Sequence, residues 1–266
     1  MTRFTDGSGV RVSYDVAGAG DPPLVFVHGW SCNRSYFEPQ LRHFAAQHTV
    51  AALDLRGHGA SDAPPPDQFR YDTDAFADDV LAVAADAGLH RPIVVGHSLG
   101  ALVALTCAVR SDAVRAAVLV DPAPILEGRG KAFFTRSVPA VAGDEDGSWR
   151  AAFAARLFGP DDTARRDETI AGVRATPLPI AAAAWQAIAD FDGAAVLPRV
   201  PVPVLLISAG EPEAGVADRL QNVTLGRTVG AGHFIQLEVP DQVNAMIERF
   251  LAIMSRAPTG CCRPDP

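Results

Sequence analysis

The chain reads as an α/β protein: a mostly parallel central sheet with helices on both faces and a helical stretch inserted late in it. Three observations carry that reading. Short, fully apolar runs such as Leu24-Val25-Phe26-Val27 and Ala116-Ala117-Val118-Leu119-Val120 lack polar alternation, as strands buried on both faces require. Helix-length segments alternate with these runs, the pattern of parallel strands joined by crossovers. From residue 122 to about 196 no strand-like run appears, only helical stretches broken by loops.

Residues 10–16 alternate with period two and lead into the turn Gly18-Ala19-Gly20-Asp21. The apolar run 24–27 is a central strand, residues 36–46 a helix and 49–53 the next strand. A helix over 73–87 opens with Asp72 or Thr73 as its cap and closes at Gly88. Residues 91–95 form a buried strand, 101–105 the first turns of a buried helix, and 116–120 another buried strand. Within the insertion, 149–158 and 181–189 are helical, while Gly128-Arg129-Gly130-Lys131 and Gly143-Asp144-Glu145-Asp146-Gly147 read as loops. The alternation resumes with a strand at 202–207, a short helix near 215–221 and a strand at 226–229. A last helix over 241–254 sets Val243, Met246, Ile247, Phe250 and Leu251 at helical spacing. The expected organisation is a core of residues 1–121 and 197–257, a helical cap at 122–196 and a disordered tail at 258–266.

A chain of 266 residues, 48% hydrophobic and 20% charged, has the composition of a globular protein with a substantial core. Its net charge of -8, with Lys131 the sole lysine, disfavours nucleic acid as a partner. No apolar stretch approaches the ~20 residues that span a bilayer. The start, Met1-Thr2-Arg3-Phe4-Thr5-Asp6-Gly7, turns polar too soon for a signal peptide, so no membrane association and a cytoplasmic location are expected. Cys32 and Cys107 fall in a turn and a helix. Cys261-Cys262 lie in the tail without a His or Cys partner at ligand spacing, and are expected to be inert. No paired-histidine motif points to a metal, the Gly128–Lys131 stretch lacks the spacing of a phosphate loop, and no cofactor is expected. The sequence carries no signature of an oligomeric state.

The chemistry concentrates at Gly96-His97-Ser98-Leu99-Gly100, between a strand and a helix. A turn this tight strains Ser98 and lifts its Oγ clear of the sheet, and the flanking glycines avoid clashes that a Cβ would make. A serine hydroxyl needs a base, an orienter for that base and donors for an oxyanion. His233, in Gly230-Ala231-Gly232-His233-Phe234, follows the last strand and so falls on the face where strand carboxyl ends converge. Leu99 opens the next helix with an unbonded N–H, and the backbone N–H of Trp30, in His28-Gly29-Trp30, is the expected second donor. His28, Trp185 and Phe234 are candidate substrate contacts. The aromatic-rich insertion, with Phe133, Phe134 and Phe158, points to a small apolar substrate.

Together these motifs resemble those of the α/β-hydrolase family. His28-Gly29-Trp30, Asp54-Leu55-Arg56-Gly57-His58-Gly59-Ala60-Ser61, the serine turn, and Ala231-Gly232-His233 before an amphipathic helix stand where that family has them. The match runs over residues 10–254, the cap agreeing in position only. The resemblance implies the chain order serine, acid, histidine, and a structural role for the segment 54–61 that leaves Arg56 and His58 weak catalytic candidates. It leaves two positions for the acid. Many members place it just beyond the glycine that ends the strand before the last, which in Ser208-Ala209-Gly210-Glu211-Pro212-Glu213 is Glu213. Only 20 residues then separate it from His233, fewer than a helix, a strand and two loops are expected to need. Asp121 ends the earlier strand, a position used in branches that resemble cofactor-free quinolone dioxygenases and one group of dehalogenases, although the latter carry an aspartate nucleophile that this chain lacks. Asp121 is favoured, with Glu213 as its rival. The implied activity is serine hydrolysis of a small, largely apolar carboxylic ester or lactone through an acyl-serine. The alternatives are a cofactor-independent dioxygenase or lyase, or a hydrolase-like ligand receptor.

Overall fold

A computed structural model describes residues 2–159 and 163–256. The first half runs β1 (Thr2–Thr5), β2 (Val12–Ala17), β3 (Leu24–Val27), α1 (Glu38–Phe44), β4 (Val50–Leu53), α2 (Thr73–Asp86), β5 (Ile93–His97), α3 (Leu99–Arg110) and β6 (Ala116–Val120). Between β6 and β7 stand α4 (Arg129–Ala142), α5 (Ser148–Ala155), α6 (Thr163–Ala175), α7 (Leu178–Asp190) and α8 (Gly193–Val196). The chain closes with β7 (Val204–Ser208), α9 (Val216–Arg219), β8 (Val223–Arg227), α10 (Ile235–Glu238) and α11 (Pro240–Arg256).

The strands form one sheet in the order β1-β2-β4-β3-β5-β6-β7-β8. β2 pairs antiparallel with β1 and β4, and every other neighbouring pair is parallel. Successive residues of a strand face opposite sides, so Val25 and Val27 join one core with Phe76, Val80 and Leu102. Leu24 and Phe26 join the other, with Phe37, Phe44, Ile247 and Phe250. Helices therefore cover both faces, α2 and α3 on one and α1 and α11 on the other. This arrangement sets β5 between β3 and β6, so its carboxyl end emerges near the middle of the sheet.

The expected elements recur with shifted ends. Asp72 caps α2, its Oδ1 accepting the Ala75 N–H at 2.8 Å. The last strand starts at Val223, three residues before the expected 226, and a 3-10 turn (Arg34–Phe37) precedes α1. Three readings are corrected. β1 was not expected; it is polar and exposed over three of its four residues, so it carries no burial pattern. The stretch 128–131 is not a loop: Gly128 caps α4, whose Lys131 is buried and donates to the Ile188 and Phe191 carbonyls at 2.7 and 2.5 Å. The 20 residues from Glu213 to His233 do hold a helix and a strand, because α9 is a single turn and β8 has five residues. The tail 258–266, with Cys261 and Cys262, lies outside the described residues. Among those described, no single helix is long and apolar enough to cross a membrane.

Candidate active site

Ser98 adopts φ 53° and ψ -116°, a left-handed conformation rarely taken by an L residue other than glycine. Two close approaches enforce it. A Cβ on Gly96 would lie 1.9 Å from the Gly100 carbonyl oxygen, and one on Gly100 would lie 2.2 Å from the Val27 oxygen. Glycine at both positions lets α3 start directly off β5 and pack onto β3. The Ser98 N–H donates to Val120 O at 3.1 Å, fixing the turn against β6. Leu99 is the first residue of α3, where backbone N–H groups have no partner within the helix.

Asp121 directly follows β6 in a second left-handed conformation, φ 40°. Its N–H donates to Ile207 O at 2.7 Å and its Oδ1 accepts from Ala209 N at 2.8 Å, both on the neighbouring β7 edge. Its Oδ2 meets His233 Nδ1 at 2.6 Å. Both side chains are about one-fifth exposed (19%), so the pair is only partly shielded from water. Glu213 takes another role: its two oxygens accept the N–H groups of Ile125 and Leu126 at 2.7 and 3.0 Å, bracing the loop after β6.

Ser98 and His233 line one cavity of about 220 Å³ with Trp30, Phe134, Phe153 and Trp185. Its aromatic wall is a packed set: Trp185 meets Phe134 at 4.3 Å between ring centroids and Trp30 at 4.8 Å. The indoles are anchored, Trp30 Nε1 donating to Ala181 O at 2.8 Å and Trp185 Nε1 to Phe134 O at 3.0 Å. Trp30 thus ties the loop after β3 to α7. Phe234 lines the same space. Cys32 lines it too, and burial pushes its thiol well above the ordinary range.

His28 is corrected as a substrate contact. It is fully buried, with Nδ1–H donating to Gly29 O at 2.8 Å and Nε2 accepting the Leu55 N–H at 3.0 Å. Burial lowers its pKa to about 4, so the ring is a neutral strut between β3 and β4. The segment 54–61 is likewise engaged in packing. Arg56 bonds both oxygens of Asp79 on α2 at 2.9 and 2.7 Å, and His58 Nδ1–H donates to Arg56 O at 2.9 Å. His97, not singled out from sequence beyond the motif, lies at the cavity with Nε2–H donating to His233 O at 3.0 Å. Burial, and then the neighbouring His233, hold it well below the usual imidazole range.

With this geometry in view, a family model described as "Alpha/beta hydrolase family" matches residues 24–246. The 2-(acetamidomethylene)succinate hydrolase of Mesorhizobium japonicum is 36% identical over 119 residues, 44% of this chain and 42% of that protein. The match thus spans less than half the length of that curated relative. Among solved structures, the enol-lactonase of Burkholderia xenovorans LB400 superposes with TM-score 0.81 at 22% identity, covering 94% of this chain and all of that one (100%). A hydrolase from Pseudomonas aeruginosa PA01 gives TM-score 0.82 at 25% identity, covering 94% and 98%.

Proposed function

The chain belongs to the alpha/beta hydrolase family, and from that premise we propose that it hydrolyses a small, largely apolar carboxylic ester or lactone through an acyl-serine intermediate. The observation that carries the reading is the shared cavity of Ser98 and His233, with Asp121 against the far nitrogen of the imidazole. Ser98 Oγ attacks the carbonyl carbon and its proton passes to His233 Nε2. The N–H groups of Leu99 and Trp30 receive the oxyanion, and the leaving alkoxide takes the proton from His233. Water, deprotonated by the same imidazole, then attacks the acyl-serine, and the imidazolium returns that proton to Ser98 Oγ as the acid leaves. Asp121 holds the tautomer and stabilises the imidazolium. The cavity's volume of about 220 Å³ falls below the ~300–1,000 Å³ of drug-sized pockets, which favours a short acyl group. In this reading the 122–196 insertion is the cap that supplies the apolar wall, with Trp185 and Phe234 as substrate contacts.

Hydrolysis of p-nitrophenyl esters from acetate to octanoate by wild type and Ser98→Ala tests this. We expect turnover that is greatest for short acyl chains and lost in Ser98→Ala. Turnover that survives Ser98→Ala overturns the acyl-serine. The Asp121–His233 pair also supports a second reading, base catalysis without an acyl-enzyme, as in a cofactor-independent dioxygenase or lyase. That reading gains if the wild type cleaves no ester in the series.

A further inference from the structure

His233 is held by its backbone as well as by Asp121. Its N–H donates to Leu157 O at 2.5 Å, and its carbonyl accepts from His97 Nε2 at 3.0 Å. On either side of it, the N–H groups of Gly232 and Phe234 each donate to Glu238 at 3.1 Å, one to each carboxylate oxygen. The oxygen that takes Gly232 also accepts the N–H of Gly159 at 2.8 Å. Leu157 and Gly159 belong to the insertion, in the segment just after α5. Phe158 between them stacks on Phe234, with ring centroids 4.5 Å apart. The fit leaves no spare room: a Cβ on Gly232 would lie 2.4 Å from Leu157 O and 2.5 Å from Gly159 N.

We propose that Glu238 is a positioning residue for His233, and that docking of residues 157–159 on the histidine loop, fastened by this carboxylate, sets the imidazole in line with Ser98. The inference rests on His233 being the base. A carboxylate accepts N–H groups on both oxygens through charge-assisted bonds, whereas glutamine presents only one accepting oxygen. Capping α10 needs only the bond to the Phe234 N–H. A purely capping Glu238 would therefore leave the rate constants of a folded variant unchanged.

The test combines Glu238→Gln and Gly232→Ala with steady-state hydrolysis of p-nitrophenyl butyrate and amide hydrogen exchange. In Glu238→Gln, kcat should fall about tenfold or more, with KM within about twofold, because small misplacements of a reacting group cost up to ~100-fold. Gly232→Ala should lose kcat similarly by wedging the insertion off the loop while Glu238 stays intact. The Gly159, Gly232 and Phe234 amides should exchange faster in Glu238→Gln while those of β5 and α3 stay protected. In an Asp121→Asn background Glu238→Gln should cost less than about twofold more, since both act through one imidazole. Unchanged kcat in either single variant overturns the proposal, as does a loss that comes with faster exchange across β5 and α3. Wild-type turnover that Ser98→Ala abolishes but Glu238→Gln leaves intact removes the positioning role alone. Absence of any Ser98-dependent ester turnover removes the reading in which His233 serves Ser98, and with it the proposal that Glu238 sets the imidazole in line with Ser98.

Discussion

Asp121 serves two partners with one carboxylate, His233 Nδ1 at 2.6 Å and Ala209 N at 2.8 Å. Both partners donate, so Asp121→Asn sets an amide NH₂ against one of them and loses the hold on the tautomer. We expect kcat to fall about a thousand- to ten-thousandfold, the scale at which losing that hold is felt in serine triads. Glu213→Gln weakens only the brace on Ile125 and Leu126. It should leave kcat within about threefold and cost ~1 kcal/mol of stability, one hydrogen bond's worth. Kinetics of both variants on one ester decide between them, and the reverse ranking would move the acid to Glu213. That Ser98 and His233 meet at one cavity was legible because glycine spacing and chain order place both beyond strand ends. His28 was misassigned because the motif shows its place in the chain, whereas its burial and two hydrogen bonds arise from β3 and β4 coming together. Glu238 left no signal in sequence: a glutamate five residues after a histidine is unremarkable until Gly159 is brought across from the insertion.

At the scale of elements, the buried strands β3, β5 and β6 declared themselves by unbroken apolar runs, and α2 by Asp72 and Gly88. The insertion was harder to read. α4 opens on Arg129-Gly130-Lys131 and contains Pro139, while Thr163–Ala175 carries Arg165, Arg166, Asp167 and Glu168 in succession, with little apolar periodicity. A buried ion pair that propensity does not announce ties part of this region together. Asp144 accepts the N–H groups of Trp149 and Arg150 at the start of α5, and the Arg150 guanidinium at 2.9 Å. Arg150 also reaches Thr176 O at 2.7 Å, fastening α5 to the end of α6. Burial pushes the Asp144 carboxyl up, but these donors outweigh it and hold the pKa below the usual carboxylate value. Arg150→Met strands the carboxylate, and a broken buried pair costs about 3–5 kcal/mol. Because α5 carries Phe153 into the cavity wall, KM should rise more than kcat falls. Urea unfolding with ester kinetics checks both. The double variant Asp144→Ala with Arg150→Met should recover part of the stability, and a single variant as stable as wild type would show that the pair does not organise the insertion.

The whole molecule carries an acid liability built from buried neutral histidines. Burial lowers His28 to about 4 and His58, with His28 beside it, to about 3, and it holds His97 well below its ordinary value. The unfolded chain titrates these rings near 6.5. Between that pH and the folded values it binds protons that the native state refuses, so stability falls as pH falls. Above about pH 7.5 the unfolded rings are mostly neutral too, and little slope remains. By pH 5 the excess protons of His28 and His58 give a slope approaching ~3 kcal/mol per pH unit, with His97 adding in the same direction, against a total stability of about 5–15 kcal/mol for a typical protein. Urea midpoints at constant ionic strength should therefore be nearly level from pH 8 to about 7.5 and drop steeply between 6.5 and 5. His58→Gln, which removes one such ring, should flatten the slope by ~1.4 kcal/mol per pH unit. A midpoint level from pH 7 to 5 would mean that these rings accept protons in the folded state. The same measurement separates two causes of lost turnover in acid: a fall in rate at constant urea midpoint belongs to the chemistry at Ser98 and His233, and a fall in both belongs to the fold.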